Sequence, residues 1–419
     1  MTALKKILSW SYEPSILRAD NENPVSPSLD RRPLRIALFS GNYDCVRDGA
    51  NQALNRLVGH LIDRAGASVR VYTPVAARPA FASVGNIRPV RSVGIPGRPE
   101  YRIALGLTRA AKRDLQDFAP DLIHLSAPDL LGRQAQKYAL AKGIPVVTSL
   151  HTRFETYLDY YRLSALRRPV ERYLDRFYAD SSHILAPTAP IAASMAARHG
   201  AGKVSIWGRG VDRRLFHPAK RDEGYRQSLG YGPEDVAPLF FGRLVLEKGL
   251  DIFIDTIAAL RRSGYHVRPM IIGEGPARNA FAARLDNANF LGHLEGEALG
   301  RAVASADILI NPSVTEAFGN VNLEAMASGL AVVSADVASA SALIDHGRTG
   351  LLVEPRDVGA YAKTADRLIR DKAARAALGR AASLTAEAYL WEEILGGVHA
   401  CYRACLDEFD APLPLLGIK

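Results

Sequence analysis

The chain has 419 residues, of which 48% are hydrophobic and 23% charged, a balance typical of ordinary globular proteins. Its length exceeds what a single core usually holds, so we expect two domains. No run of about eighteen apolar residues is present, so no membrane-spanning helix is predicted. Residues 1–33 are rich in proline and polar residues and are expected to form a loosely held arm.

The formal net charge of +9 predicts an anionic partner, either a nucleotide, a nucleic acid or an anionic membrane face. Nucleic acid is disfavoured because no helix-turn-helix, zinc-finger or aromatic RNA-binding motif occurs and the arginines are scattered. The three cysteines, Cys45, Cys401 and Cys405, match no metal-ligand pattern, and their odd number argues against a disulfide framework. We expect a cytoplasmic protein, since Glu13 and Pro14 interrupt the start too early for a secretory signal.

An alternation of strands and helices begins at Leu34 and predicts a parallel sheet built from βαβ units. The first helix is predicted over residues 51–64, with Asn51 as its cap. The strands predicted in the first half are residues 34–39, 69–72, 122–124, 146–150, 184–186 and 204–206.

The pattern breaks near residues 207–218, and a second alternation follows. Its strands are predicted at residues 238–241, 269–272, 289–291, 308–310, 331–334 and 350–353. A last helix is predicted from Thr385 to Leu406, with Trp391 inside it. The expected fold is α/β, with two doubly wound, Rossmann-like domains facing across a cleft that holds the ligand. We assign residues 34–206 to the first domain, 207–384 to the second, and 385–419 to a C-terminal helix that packs back on the first.

Two carboxylates flank a tight turn at the end of a predicted buried strand. Glu316 lies in the loop, Gly319 breaks the turn, and Glu324 lies on the helix that follows. Carboxylates accept hydrogen bonds from vicinal hydroxyls, and N–H groups where a helix begins favour negative charge, so a sugar and a phosphate can bind side by side. The alternative is an ordinary pair of solvated glutamates.

Three further turns follow predicted strands. Gly242, Arg243 and Lys248 combine a glycine turn with two cations before a helix, as a pyrophosphate site requires, although a surface ion pair of Glu247 with either cation is the alternative. A second turn contains Gly273 and Gly275, which are candidate ligand-binding residues, although many α/β turns carry glycine. In the first half, the loop ending at Gly49 is not the G-x-G-x-x-G fingerprint, so a nicotinamide cofactor is disfavoured.

His151 ends an apolar strand in the first half, and this position directs it into the cleft, although a lone histidine is often structural. The segment from Arg153 to Tyr178 mixes six arginines with seven aromatic residues. Such a mixture suits the headgroup zone of an anionic bilayer, and the alternative is a pair of amphipathic helices packed on the first sheet.

Together these motifs resemble the retaining GT-B glycosyltransferases of family 4. The ordered set that carries the resemblance is Gly242 and Arg243 with Lys248, then residues 273–276, residues 316–319 and Glu324. Residues 126–133, 149–152, 160–161, 209–212 and 215–218 are most similar to the lipid-directed branch, which includes diacylglycerol glycosyltransferases, sulfoquinovosyltransferases and mannosyltransferases.

The resemblance implies a role for each matching residue. Arg243 and Lys248 would hold the donor diphosphate, which Gly49 would approach from the first domain, and Glu316 would hold hydroxyls of the donor sugar. The backbone of residues 318–320, which are Phe318, Gly319 and Asn320, would meet the sugar and phosphate. Glu324 would bind the ribose, and His151 would lie beside the reacting carbon. The resemblance implies no metal.

The implied reaction moves a hexose from a UDP-hexose, a UDP-hexuronate or GDP-mannose to a membrane lipid such as diacylglycerol or ceramide, with retention of configuration. The implied place of action is the cytoplasm, with peripheral attachment to the inner face of the plasma membrane. Two alternatives remain open: a sugar-nucleotide epimerase or hydrolase on the same fold, and a non-catalytic protein that binds nucleotide-sugars.

Overall fold

The computed structural model describes residues 32–95, 98–151 and 167–410, with no side-chain description for residues 98–100 and 410. The described residues divide into two compact units. Unit 1 contains residues 32–151, 167–208 and 392–410, and unit 2 contains residues 209–391. The predicted arm, except its last two residues, and the predicted motif residues 152–166 lie outside the described ranges.

Unit 1 is built on a parallel sheet whose strand order is β3-β2-β1-β6-β7-β8-β9. The strands are β1 (Arg35–Phe39), β2 (Ser68–Thr73), β3 (Asn86–Pro89), β4 (Ser92–Ile95), β5 (Arg98–Ala104), β6 (Leu122–Leu125), β7 (Val146–Ser149), β8 (His183–Ala186) and β9 (Val204–Ile206). The helices are α1 (Gly49–Asp63), α2 (Arg109–Phe118), α3 (Leu130–Lys142), α4 (Arg167–Ala179) and α5 (Ala189–His199), with a 3₁₀ turn at Ala201–Lys203. Strands β4 and β5 form a separate antiparallel pair.

Unit 2 is built on a second parallel sheet, in the order β12-β11-β10-β13-β14-β15. Its strands are β10 (Pro238–Phe241), β11 (Met270–Ile272), β12 (Asn289–Gly292), β13 (Ile308–Asn311), β14 (Ala331–Ala335) and β15 (Leu351–Val353). Its helices are α6 (Glu223–Ser228), α7 (Leu250–Arg262), α8 (Arg278–Ala282), α9 (Gly296–Ala304), α10 (Asn320–Ala327), α11 (Ala338–Ser341), α12 (Val358–Arg370) and α13 (Lys372–Ala386), with 3₁₀ turns at Pro218–Lys220 and Leu246–Lys248.

Apolar layers cover both faces of the sheet in unit 2. On β10, Leu239 packs in a core with Leu323 and Met326 of α10, while the next residue, Phe240, packs on the opposite face with Phe253 of α7. Successive side chains of a strand point to opposite faces, so a parallel strand buried on both sides must be apolar throughout. This explains why short, uninterrupted apolar runs predicted these strands well. The α/β class with two doubly wound sheets is confirmed.

The last helix begins later than the sequence predicted. Helix α13 continues to Ala386, and α14 spans Trp391–Asp410, so the helix predicted from Thr385 is interrupted before Trp391. The interruption has a physical cause in unit 2, where the Val211 N–H donates to the Tyr389 carbonyl at 2.9 Å. A side chain added at Gly210 would lie 2.7 Å from the Trp391 backbone nitrogen, so these two segments pack directly on each other.

From Glu392 onward, α14 belongs to unit 1. Glu392 forms an exposed ion pair of 3.4 Å with Arg64, at the end of α1, and Tyr402 is fully buried. Cys405 is buried and Cys401 half-buried, and these two thiols and Cys45 are free. Burial raises the pKa of Cys401 to about 12, which makes that thiol a packing group with little thiolate character.

Candidate functional site

The candidate site in unit 2 lies where the strand order of its sheet reverses. The chain runs from β10 outward to β12 on one side and from β13 outward to β15 on the other. Loops that leave the carboxyl ends of β10 and β13 therefore diverge, and this opens the crevice in which open α/β sheets bind ligands. The predicted residues of this half follow β10, β11 and β13.

Two of the predicted glycines pack one loop against another. A Cβ atom added at Gly273 would lie 1.9 Å from the Gly242 carbonyl oxygen, and one added at Gly275 would lie 2.4 Å from the Leu244 carbonyl oxygen. Backbone bonds join the same loops, since Leu244 N donates to Glu274 O at 3.0 Å. Gly273 and Gly275 are thus required for the packing of these loops, and their part in binding the donor stays a prediction.

Gly242 differs from these two glycines. Its φ of 140° is unfavourable for any other residue, yet the nearest atom to an added Cβ would be Cγ2 of Val321 at 3.9 Å. A Cβ at this position would therefore make an ordinary contact with the start of α10 and no clash. That a ligand approaches the backbone here stays a prediction.

The loop with Lys248 is placed by its contact with the loop that carries Glu316. Gly249 has a φ of 72° and lies so close to Pro312 that an added Cβ would be 2.9 Å from the Pro312 carbonyl oxygen. Thr315 Oγ1 also donates to the Glu247 carbonyl at 3.4 Å. The turn after β10 and the loop after β13 are therefore held side by side.

Lys248 and Glu316 form an ion pair through Nζ and Oε1, with 25% and 18% of their side chains exposed. The alternative pairing of Lys248 with Glu247 does not occur in the described structure, and Glu316 is too buried to be an ordinary solvated loop residue. Because both groups retain contact with water, the pair stabilises the fold by about 1 kcal/mol or less. Its main effect is to place a cation beside a carboxylate in the loops that follow β10 and β13. Arg243 lies half-buried on the same loop.

Helix α10 begins at this crevice. Gly319 occupies its N-cap with a φ of 93°, and no side chain caps it. The Phe318 side chain packs in the core of unit 2, so only its backbone is available to a ligand. Asn320 opens the helix, and Glu324 is half-buried one turn later. Uncapped N–H groups in a first helical turn suit an anion.

A buried polar network below this loop was not predicted. Asn311 Nδ2 donates to Asn322 Oδ1 at 2.8 Å, and Asn322 Nδ2 donates to Ser334 Oγ at 3.1 Å. The Ser313 N–H donates in turn to Asn311 Oδ1 at 3.2 Å. The network joins β13, α10 and β14, so it fixes where the Glu316 loop starts and where the helix begins. A polar residue at the end of the buried run of β13 was the available signal.

In unit 1, Gly49 is the first residue of α1 and lies after β1, where the first sheet also reverses its order. The prediction that Asn51 caps this helix is wrong. Asp48 is the N-cap and accepts from the Asn51 N–H at 2.8 Å, while the Asn51 side chain donates to the Val46 carbonyl. Aspartate and asparagine cap helices about equally well, and Asp48 occupies the N-cap because the helix begins at Gly49, two residues earlier than predicted.

His151 follows β7 in unit 1 and is half-buried. Its Nε2 lies 2.8 Å from Ser149 Oγ, which in turn lies 2.8 Å from Nε2 of His124 on β6. His124 Nδ1 bonds the hydroxyl of Tyr402 on α14. The sequence pointed to His151 but missed His124 and Tyr402, although a histidine within the apolar run of β6 was a signal.

Helix α4 contains the described part of the arginine and aromatic segment. Arg168, Arg172 and Arg176 are exposed, whereas Phe177 and Tyr178 are buried in the core of unit 1. Phe177 and Tyr178 therefore pack in the core of unit 1, as the alternative of amphipathic helices on the first sheet expected.

Neither a metal cluster nor a bilayer-spanning helix is found in the described ranges. No three or more histidine, cysteine, aspartate or glutamate side chains gather there in a way that could hold a metal ion. None of the helices in those ranges is both long and apolar enough to cross a membrane.

Comparisons with known proteins agree with this architecture. Residues 47–215 match the family model described as Glycosyltransferase Family 4, and residues 237–371 match the one described as Glycosyl transferases group 1. The chain is 30% identical to sulfoquinovosyl transferase SQD2 of Arabidopsis thaliana over 403 residues, covering 92% of this chain and 78% of that protein. It is 31% identical over 330 residues to a GDP-mannose-dependent alpha-mannosyltransferase of Mycolicibacterium smegmatis, covering 77% of this chain and 84% of that protein.

Sucrose-phosphate synthase from Thermosynechococcus elongatus has a similar solved structure, with a TM-score of 0.72 at 20% identity over 90% of this chain and 100% of that chain. That likeness, with the two doubly wound sheets, defines the GT-B fold. The chain belongs to the family 4 glycosyltransferases, since one matching family model has that description and its relatives of 30% and 31% identity are glycosyltransferases. It is therefore a glycosyltransferase.

We expect Asn322→Ala to lower the free energy of unfolding of unit 2 by about 2 kcal/mol, because it leaves the Asn311 amide and the Ser334 hydroxyl buried without this partner. Alanine is the better helix former, so any loss reports the network and not helix propensity. Urea denaturation followed by a fluorophore in unit 2 measures the change. The exposed helical Asn279 supplies the control, since Asn279→Ala should change stability by less than about 0.5 kcal/mol. Equal effects of the two substitutions would contradict the prediction.

Proposed function

We propose that this glycosyltransferase is a retaining hexosyltransferase that moves a sugar from a nucleotide-diphosphate donor to a membrane lipid, such as diacylglycerol or ceramide. The observation that carries the proposal is the arrangement in unit 2, where the Lys248–Glu316 pair, Gly242 and the uncapped start of α10 all follow the adjacent strands β10 and β13. Such an arrangement offers a cation and N–H donors to a diphosphate and a carboxylate to sugar hydroxyls.

In the proposed reaction, Lys248 and Arg243 bind the diphosphate and Glu316 binds the sugar. As the bond between the anomeric carbon and the phosphate oxygen breaks, negative charge grows on the leaving diphosphate, and both cations stabilise it. The acceptor oxygen bonds to the anomeric carbon from the same face, and its proton passes to the departing phosphate. These cations and the N–H groups of α10 are proposed to supply the charge stabilisation without a divalent metal.

The remaining residues complete the proposed site. Glu324 is assigned to the ribose, the backbone of residues 318–320 to the phosphate and sugar, and Gly49 at the start of α1 to the diphosphate. His151 is assigned to the donor sugar near the reacting carbon. A UDP-hexose or a UDP-hexuronate is the proposed donor and GDP-mannose is the alternative, because the names of two relatives specify different sugars, sulfoquinovose and mannose.

The function is tested by a release assay with UDP-glucose, UDP-galactose, UDP-glucuronate and GDP-mannose, each with and without total lipid extract and with and without EDTA. We expect nucleotide release with one donor only when lipid is present, unchanged by EDTA, and a lipid product with an α-anomeric linkage by mass spectrometry and NMR. Release without lipid would show a hydrolase, conversion of the sugar without release an epimerase, and tight binding without turnover a non-catalytic protein. Each of these outcomes would overturn the proposal.

We expect Lys248→Ala to lower the rate of transfer by about a hundredfold, because a lost charge-stabilising group typically costs about 3 kcal/mol. Glu316→Gln should lower it by about tenfold or more, because a hydrogen bond to a charged group contributes about 1.5 to 3 kcal/mol. Lys220 offers a matched control, since it forms a similar ion pair of 2.6 Å with Glu297 outside the crevice. Steady-state kinetics should show near-normal rates for Lys220→Ala. If Lys248→Ala were as active as that control, Lys248 would have no part in the reaction.

We propose that α4 contributes to binding an anionic membrane surface. Its Arg168, Arg172 and Arg176 are exposed, and each arginine near such a surface contributes about 1 kcal/mol. Replacing all three with alanine should weaken binding to vesicles of phosphatidylglycerol by about a hundredfold, as measured by sedimentation at low salt.

A variant with the same loss of charge provides the control for α4. Arg78→Ala, Arg113→Ala and Arg380→Ala together remove three exposed arginines that lie outside α4. If both triple variants lost vesicle binding equally, overall charge and not α4 would be responsible. Binding of the unchanged protein should weaken as salt shortens the screening length to about 8 Å.

A further inference from the structure

A chain of hydrogen bonds runs through the core of unit 1 from the last helix to His151. Tyr402 on α14 and His124 on β6 are fully buried, and Ser149 on β7 is 1% exposed. The Tyr402 hydroxyl bonds His124 Nδ1, His124 Nε2 lies 2.8 Å from Ser149 Oγ, and Ser149 Oγ lies 2.8 Å from His151 Nε2. Hydrogen bonds therefore connect α14, β6 and β7, which are distant in the sequence, to the imidazole of His151.

Burying a series of hydrogen-bonded polar groups in an apolar core lowers the stability of the fold unless every polar atom is paired. A buried donor or acceptor left without a partner costs about 1 to 3 kcal/mol, and an apolar replacement of similar shape would avoid that risk. Neighbouring positions of the same strands, such as Ile123 and Val147, are apolar. The polar residues lie in one continuous line that leads to His151, which suggests a role beyond packing.

The protonation states in the chain fix its direction. Burial lowers the pKa of His124 to about 3, so its ring is neutral and carries one proton. Burial also raises the pKa of Tyr402 well above its usual value, so the phenol keeps its proton. Within the described residues, the hydrogen-bond partner of that hydroxyl is His124 Nδ1. Tyr402 therefore donates, and Nδ1 accepts.

The rest of the direction follows from this first bond. The proton of His124 must lie on Nε2, which donates to Ser149 Oγ. The Ser149 hydroxyl then donates its own proton to His151 Nε2. A neutral imidazole has one donor and one acceptor nitrogen, so the neutral form of His151 carries its proton on Nδ1. The reversed chain would leave the hydroxyl proton of Tyr402 without an acceptor in the described core.

Trp207 adds a steric constraint on the same two rings. Its side chain is 1% exposed and meets His151 edge to face at 5.0 Å and His124 at 5.8 Å between ring centroids. The indole thus limits rotation of both imidazoles, while the hydrogen bonds select which nitrogen is protonated. A ring held in one plane and one tautomer presents a single donor.

We propose that Tyr402 is a positioning residue that acts through His124 and Ser149 to hold His151 in the Nδ1–H tautomer. The effect of this tautomer on catalysis rests on the proposed function, which assigns His151 to the donor sugar. The tautomer itself concerns unit 1 alone, so the tautomer and its effect on catalysis can be tested separately.

The test uses Tyr402→Phe, which removes one hydroxyl and keeps the ring. Protein labelled with ¹⁵N-histidine is examined by long-range ¹H–¹⁵N correlation at pH 8, with the His151 and His124 signals assigned by His151→Gln and His124→Gln. In the unchanged protein we expect His151 as the Nδ1–H tautomer and His124 as the Nε2–H tautomer. In Tyr402→Phe we expect mixed tautomers for both rings and a fall of kcat by about tenfold, with KM for the donor changed less than twofold.

Tyr361→Phe is the matched control, because Tyr361 is also fully buried and its hydroxyl bonds nothing in the described structure. It should alter neither the tautomers nor kcat. If Tyr402→Phe does not fold, Ser149→Ala interrupts the same chain on a different element and should free the tautomer of His151 alone, while His124 keeps its bond to Tyr402.

Three results would overturn the proposal. An Nε2–H tautomer for His151 in the unchanged protein would contradict the direction of the chain. Unchanged tautomers in Tyr402→Phe would show that the tyrosine positions nothing. A change of tautomer without a fall in kcat would remove the positioning role in catalysis. If the unchanged protein transferred no sugar at all, the proposed function would fail, and the NMR arm would still decide whether the chain sets the tautomer.

Discussion

The reversal of strand order between β10 and β13 is the constraint on which the candidate site depends. Two adjacent parallel strands that send their connections in opposite directions leave a gap that no side chain of the sheet fills. The gap has to be shaped by loops, and the loops are held by backbone contact. Gly273 against Gly242 and Gly249 against Pro312 leave no room for side chains between them. The position of Lys248 therefore depends on residues with no side-chain chemistry.

Both units support their candidate groups with polar residues buried behind them. In unit 2, Asn311, Asn322 and Ser334 fix the ends of the loop that carries Glu316. In unit 1, His124 and Ser149 lie behind His151. Buried polar networks that are fully paired are rigid, and a side chain held by them loses little further entropy on meeting a substrate. Both parallel sheets therefore have a buried polar network behind the candidate groups at their carboxyl ends.

The sequence predicted the class, the two sheets and nearly every central strand, because strands buried on both faces are short apolar runs. Glu316 and His151 attract attention because they follow the carboxyl ends of such runs, and Lys248 because it follows a glycine turn, while their part in binding stays a prediction. The sequence could not predict that Lys248 pairs with Glu316 and not with Glu247, or that Gly275 packs against Leu244, because both contacts join segments far apart in the chain. The contact of Tyr402 with His124 could not be predicted for the same reason.

The passage of α14 from unit 2 into unit 1 has a consequence for how the protein is made. The described part of unit 2 is a single stretch, 209–391, whereas unit 1 takes its last helix from residues synthesised after that stretch. During translation, domains generally fold as units in the order in which they become complete. The second sheet can thus close on the ribosome while the first still lacks the helix that carries Tyr402. The half of the protein that is synthesised first would be the last to reach its final structure.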